Sequence, residues 1–151
     1  MSSQTSAANE ATNQAQIRGL IDDWVKAVRA KDIKSVLSHY APDIVSFEIV
    51  PPLQHTGIDN YRKIWDEWFS VTQGPIGYEI SELSITASDD VAFSHSLNRI
   101  TETKTNGEKS DTWLRATDCY RKVDGRWVVT HEHFSVPFFM GSGKAMLDLK
   151  P

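Results

Sequence analysis

The chain predicts an α+β fold: a cone-shaped barrel in which a strongly curved, mostly antiparallel sheet wraps round three N-terminal helices. Three observations predict it. Up to about Thr72, apolar residues recur at helical spacing in three segments, interrupted by one short strand-like run. From residue 76 the period becomes two, in four runs separated by Asp89-Asp90, Asn106-Gly107 and Asp124-Gly125. Asn-Gly and Asp-Gly between alternating runs are strong hairpin signals, so the four runs form a meander. Within 76–88 the apolar phase moves from Tyr78 and Ile80 to Leu83 and Ile85. A parity slip of that kind predicts a β-bulge, and with it a bent sheet.

The elements follow in order. Ile17, Leu20, Ile21, Trp24, Val25 and Val28 place a helix over about 13–30 with one buried stripe. Asp32 caps a short second helix carrying Ile33, Val36, Leu37 and Tyr40, which stops before Pro42. Ile44 to Val50 reads as a strand ended by Pro51-Pro52. Gly57 to Thr72 is a third helix, whose Ile58, Tyr61, Ile64, Trp65, Trp68 and Phe69 give it an aromatic face, and Gly74-Pro75 ends it. The strands of the meander are 76–88, 91–104, 110–123 and 126–137. Three amphipathic helices must bury their stripes and a curved sheet offers a concave face, which leaves a cavity at the open end. Residues 1–12 are expected to be a flexible tail, 13–140 a single domain and 141–151 a second tail.

Composition narrows the function. The 151 residues are 40% hydrophobic and 24% charged, as in soluble globular proteins, with a net charge of −4. Lys and Arg are scattered rather than gathered into a stripe that could neutralise phosphates, so no nucleic-acid partner is expected. No apolar run approaches the roughly 20 residues that span a bilayer, so no membrane partner is expected either. The one cysteine, Cys119, cannot form an intramolecular disulfide and suits a reducing compartment. The first sixteen residues lack the apolar stretch of a secretory leader, and a cytoplasmic location is expected. His131-x-His133 puts two imidazoles on one strand face, but a zinc site needs three or four ligands. Gly141-Ser-Gly-Lys144 lacks the glycine spacing and hydroxyl of a phosphate loop. No metal and no cofactor are expected.

The last two strands carry ionisable groups at alternating positions. Because a strand points successive side chains to opposite faces, Asp118 and Glu132 fall on one face, and Arg115, His131 and His133 on the other. A one-residue slip would exchange the sets, bringing Arg115, Thr117 and His131 inward.

Tyr40-Ala-Pro-Asp43, Arg121-Lys-Val-Asp-Gly-Arg-Trp127 and His131-Glu-His-Phe-Ser135, set in this order of elements over 17–137, resemble the nuclear-transport-factor-2-like superfamily. That group includes ketosteroid isomerases, SnoaL-like polyketide cyclases and the association domain of calcium/calmodulin-dependent protein kinase. Resemblance to the isomerases implies a catalytic set. Glu48 matches their general base and Asp118 their protonated oxyanion-hole acid, while Trp24 stands where they carry a tyrosine. An indole N–H donates one hydrogen bond but lacks the acidity of a phenol. The same alignment implies a ligand-binding wall. Leu114, Ala116 and Asp118 share one face, pairing across Asn106-Gly107 sets them opposite Arg99, Leu97 and His95, and Thr130, Glu132 and Phe134 follow on the last strand. Apolar walls with a few convergent charges suit a small molecule.

Each of these residues also has a plainer reading. Glu48 fits a solvated strand end, Asp118 a surface ion pair, and Tyr61, Trp65, Trp68 and Phe69 simple core. Three functions therefore stand side by side. The first is a SnoaL-like pocket protein that transfers a proton on a small apolar carbonyl compound, as an isomerase, cyclase or lyase would. The second is a non-catalytic binder of a carboxylate-bearing ligand held by Arg99 or His95. The third is an oligomerisation module resembling the kinase association domain. A homodimer suits all three, since Val91, Phe93, Trp113, Tyr120 and Trp127 offer more apolar surface than one cavity needs.

Overall fold

The structure, a computed structural model, describes residues 2–151. Helix α1 (Ser2–Arg29) begins well ahead of the expected residue 13. Residues 3–12 are exposed and have no apolar face, so nothing in their pattern announces a helix. Their Ala, Gln and Glu content favours one by propensity, and it continues from a well-anchored segment. Asn13 supplies one anchor: its amide donates to Ser88 O at 2.9 Å and its carbonyl accepts from Lys122 Nζ at 2.9 Å.

Helix α2 (Ile33–Leu37) is capped as expected, with the Asp32 carboxylate accepting from Ser35 N at 3.2 Å and Ser35 Oγ at 2.6 Å. Strand β1 (Tyr40–Phe47) starts earlier and stops sooner than the run 44–50. Pro42 is tolerated inside it because it falls where the register against the neighbouring strand slips, between Tyr40 and Val45. After the two-residue strand β2 (His55–Thr56), Gly57 turns into helix α3 (Ile58–Ser70) at φ +86, a conformation that side chains disfavour.

The meander follows as β3 (Thr72–Ala87), β4 (Val91–Lys104), β5 (Lys109–Val123) and β6 (Arg126–Ser135). Together with β1 and β2 it forms one open, six-stranded sheet in the order β2-β1-β6-β5-β4-β3. β1 and β6 run parallel; the other pairs are antiparallel. The expected bulge is present in β3, where the register slips between Ser81 and Ser84 and Glu82 takes φ +54. A further short hairpin, β7 (Phe138–Phe139) with β8 (Lys144–Ala145), straddles the expected boundary at residue 140, with β7 in the expected domain and β8 in the expected C-terminal tail. The core lies on the concave side, where Ile17, Trp24 and Val28 of α1 and Tyr61, Trp65 and Phe69 of α3 meet Ile44, Tyr78, Leu114 and Val129. Burying each such side chain contributes roughly 1.5–3 kcal/mol.

Two hairpin registers decide what faces this interior. The Asp124-Gly125 turn has positive φ at both residues, +52 and +75, and closes on Val123↔Arg126 as a two-residue loop. The Asn106-Gly107 turn is one residue longer. Lys104 N donates to Glu108 O at 2.7 Å, leaving Thr105, Asn106 and Gly107 in the loop, with Gly107 at φ +89. That extra residue shifts β4 by one position. Asp118 pairs with Ser94, Ala116 with Ser96 and Leu114 with Asn98. His95, Leu97 and Arg99 therefore lie on the outer face rather than in the wall expected of them. The surplus apolar surface is likewise smaller: Tyr120 and Trp127 are buried, whereas Val91 and Phe93 are exposed.

Candidate functional site

A small cavity of about 20 Å³ lies between α1, the bulge of β3 and the concave faces of β4, β5 and β6. That is room for one water-sized group. Half-buried Leu20, Ile80 and Leu83 mark its outer end, and Trp24, Tyr40, Tyr120, Val129 and Phe134 line it further in. Its polar wall consists of Asp118, Glu132, Ser94, Ser96 and Asn98.

Glu132 owes its place to a bulge in β6. Tyr120 pairs with Val129 but Cys119 pairs with His131, so Thr130 is the extra residue and the inward parity passes from Trp127 and Val129 to Glu132 and Phe134. Glu132 consequently stands directly opposite Asp118. Two phenols converge on it: Tyr40 OH donates at 3.0 Å to its carboxyl, and Tyr61 OH makes a short hydrogen bond to Oε2. Trp24 Nε1 donates to Tyr40 OH at 2.7 Å. Tyr61 OH also lies 3.0 Å from Glu48 Oε1, which accepts from Ser46 Oγ at 2.8 Å. Three carboxyl groups are thus linked through one tyrosine and one strand pair.

The remaining polar groups pair among themselves. Asn98 donates to Tyr78 OH at 2.8 Å and accepts from Ser96 Oγ at 2.7 Å. Ser94 Oγ and Tyr120 OH share one hydrogen bond of 2.8 Å. Two hydroxyls joined by one bond keep one O–H unspent. Among the described residues, Asp118 Oδ1 is enclosed without any partner.

Burial dominates the electrostatics. It raises the Glu132 carboxyl well above the ordinary range, and the Asp118 and Glu48 charges add to the rise. Asp118 is pushed up to about 6, first by burial, although the hydrogen bond from Glu132 opposes the rise. Glu48 is raised by burial too, against hydrogen bonds from Ser46 and Tyr61. Tyr40, Tyr61, Tyr78 and Tyr120 all stand well above their usual range because they are buried. Of the two facing carboxyls, Glu132 is the one whose protonated form is more strongly favoured, because burial and the Asp118 charge both oppose its ionisation.

The sequence model of the SnoaL-like domain family matches residues 17–139. The chain belongs to the SnoaL-like family. Solved structures similar to this SnoaL-like protein include an NTF2-like protein of unknown function from Pseudomonas putida KT2440. It is 38% identical, with 93% of this chain and 98% of that one covered and a TM-score of 0.86. A ketosteroid isomerase-like protein from Erwinia carotovora atroseptica is 25% identical over 80% of this chain and 93% of its own, with a TM-score of 0.69. The association domain of C. elegans CaMKII shares the fold at 18% identity, covering 83% and 97%, with a TM-score of 0.68. No curated protein sequence matches the chain.

Of the residues the sequence singled out in this SnoaL-like domain, Trp24, Asp118, Glu132 and Phe134 line the cavity. Leu114 and Ala116 are buried on the same strand face without reaching it. Glu48 touches it only through Tyr61. Thr130 is displaced by its own bulge and bonds Cys119 O at 3.3 Å; Val129 lines the cavity instead. Arg99 is held outside by Asp111, 2.7 Å away, and Glu79, 3.5 Å away. Trp24 is present, but its single donor is engaged by Tyr40. Sequence reasoning missed Tyr40, Tyr61, Ser94, Ser96 and Asn98. The alternation Ala92, Ser94, Ser96, Asn98 was a usable signal, because small polar residues at one parity of a long central strand suit a lined cavity. Tyr61 was hidden among the aromatic residues of its helix.

Proposed function

We propose that this SnoaL-like protein is a small-molecule pocket protein that carries out cofactor-free proton transfer on a small apolar carbonyl compound. The observation that carries the reading is the enclosed, unpartnered Asp118 Oδ1 beside the Glu132 carboxyl, whose protonated form burial favours. A base must present a free lone pair to the substrate and must have a pKa near the working pH. Asp118 meets both conditions, whereas Glu48 stands behind Tyr61, so the base is Asp118 rather than Glu48.

In the proposed step the Asp118 carboxylate removes a proton from carbon beside the carbonyl. The C–H electrons form the C=C bond and the carbonyl π electrons move to oxygen. The spare O–H of the Ser94–Tyr120 pair donates to that oxygen. Protonated Asp118 then returns the proton to carbon. Glu132, held by Tyr40 and Tyr61, donates to Asp118 throughout and keeps its pKa from rising further.

Exchange of α-protons of 2-tetralone in D2O, followed by NMR, tests the reading. Catalysed exchange is expected with the wild-type protein and with Glu48→Gln, and its loss with Asp118→Asn. Exchange that survives in Asp118→Asn removes Asp118 as the base. The exposed Val91 and Phe93 on the outer sheet face support a homodimer, which light scattering at micromolar concentration would test.

A further inference from the structure

Hydrogen exchange at a carbon needs more than a base. The proton that comes back must differ from the one removed, so the base must trade its proton with solvent. Asp118 Oδ1 is enclosed even in the empty site, where the free space holds one water-sized group. Leu20, Ile80 and Leu83 mark the outer end, so a ligand that reaches Asp118 closes that side to water as well. A second way out has to run through the wall.

The concave face of the sheet offers one. Ser94 of β4, Asp118 of β5, Glu132 of β6, Ser46 of β1 and His55 of β2 are successive pairing partners across five strands. Tyr61 of α3 bridges two carboxyl groups beside this row, with its short hydrogen bond to Glu132 Oε2 and a 3.0 Å contact to Glu48 Oε1. Its one proton can point to only one of them at a time, so its oxygen is free to accept from the other. Glu132 is buried, whereas Glu48 is half-buried and meets solvent. Asp118, Glu132, Tyr61 and Glu48 are therefore a continuous series with one enclosed end and one open end. Burial raises all three carboxyl groups, which makes the protonated form of each accessible. At the open end Ser46 Oγ donates to Glu48 at 2.8 Å, and the positive charge of His55 favours the Glu48 carboxylate.

We propose that Glu132, Tyr61 and Glu48 form a proton relay through which Asp118 exchanges its proton with solvent while the cavity stays closed. In the outward direction Glu132 gives its proton to the Tyr61 oxygen as Tyr61 gives its own to the Glu48 carboxylate. Asp118 turns its O–H towards Glu132 and refills it, and Glu48 releases its proton to water. One proton leaves Asp118 and one reaches solvent; Glu132 and Tyr61 end as they began. The reverse sequence brings a solvent deuteron to Asp118, and a second turn presents it to carbon. The relay rests on the Asp118 base of the proposed proton transfer and adds the route by which that base meets solvent.

Two measurements test it. The first uses the ligand-free protein. Wild type, Tyr61→Phe and Glu48→Gln are mixed rapidly into D2O near pH 6, and deuteration of the protonated carboxyl groups is followed by their infrared C=O stretch. Wild type is expected to deuterate within the mixing time, and each variant in a later, resolved phase. Loosening of the fold would speed deuteration, so slowing is not a consequence of lost stability. Wild type that shows the late phase, or a folded variant as fast as wild type, overturns the relay; Glu48→Gln decides the matter if Tyr61→Phe does not fold. The second measurement is the exchange of 2-tetralone. Each variant keeps catalysed exchange because Asp118 is intact, but at a rate lowered by about tenfold, less than the roughly hundredfold or greater loss that removal of a base brings. Exchange at the wild-type rate in both variants also overturns the relay. Slow deuteration of the variants, with no exchange of 2-tetralone by wild type, would retain the relay and remove the proton-transfer reading. Undiminished exchange and fast deuteration in both variants would do the reverse.

Discussion

Replacing Asp118 by Asn should make the protein more stable at neutral pH, because the native state carries the cost of a buried charge there. The carboxyl moves from an ordinary 3.8 to about 6 on folding, with burial as the main cause. Below the lower value the group is protonated in both states and its burial costs little. Between the two the folded state holds a proton that the unfolded state has released, so stability falls as pH rises. Above the upper value both states are ionised and the full cost is present. At about 1.4 kcal/mol for each pH unit, the rise corresponds to about 3 kcal/mol lost between roughly pH 4 and pH 6. Glu48 and Glu132 are raised as well and act in the same direction. Asp32 and Asp111, whose carboxyls are lowered, act in the opposite direction, but below this window. Asn at 118 keeps the shape and the hydrogen-bonding capacity without the charge. Urea unfolding at pH 4.5, 5.5, 6.5 and 7.5 should show wild-type midpoints falling with pH. The variant should fall less steeply, exceeding wild type by roughly 0.5 M at pH 4.5 and by roughly 1.5 M at pH 7.5 if m is near 2 kcal/mol/M. A wild-type profile that is flat or rises over this range, or two parallel profiles, would refute the reasoning.

Other outcomes follow from the same contacts. Tyr61→Phe removes one hydroxyl shared by the buried Glu132 and the half-buried Glu48 carboxyl groups and should cost about 2–4 kcal/mol by denaturant unfolding. Asn98→Ala leaves Tyr78 OH and Ser96 Oγ without their partner and should cost about 2–3 kcal/mol in the same assay. Arg99→Ala should leave the rate of 2-tetralone exchange unchanged, because Arg99 is tied to Asp111 on the outer face; slowed exchange would return it to the site. Gly107→Val places a β-branched residue at φ +89 and should lower the thermal midpoint by several degrees without altering the rate of 2-tetralone exchange.

Most of the element pattern was legible without coordinates. Apolar periodicity located α3 and the four long strands, Asp32 announced its cap, and the parity slip between Ile80 and Leu83 predicted a bulge that is present at Glu82. The start of α1 was not legible, since Ala, Gln and Ser make a helix without an apolar face. The site was legible only in part. Asp118 and Glu132 were assigned to one inward face and both line the cavity, although Glu132 does so only because the bulge at Thr130 shifts the parity of β6. His95, Leu97 and Arg99 were misplaced together, because an Asn-Gly turn fits a two-residue loop and a three-residue one equally well and a single residue reverses every side chain on the strand.

Local chemistry therefore settled the helices, the hairpins and the family signature, each of which depends on neighbours close in the chain. The convergence of Tyr40, Tyr61, Trp24 and Glu48 on the Asp118–Glu132 pair came from the packing of α1 and α3 against β1, β5 and β6. Those contacts join residues from 13 to 92 positions apart. Their strength and their effect on protonation come from exclusion of water, a property of the assembled core that no run of residues carries alone.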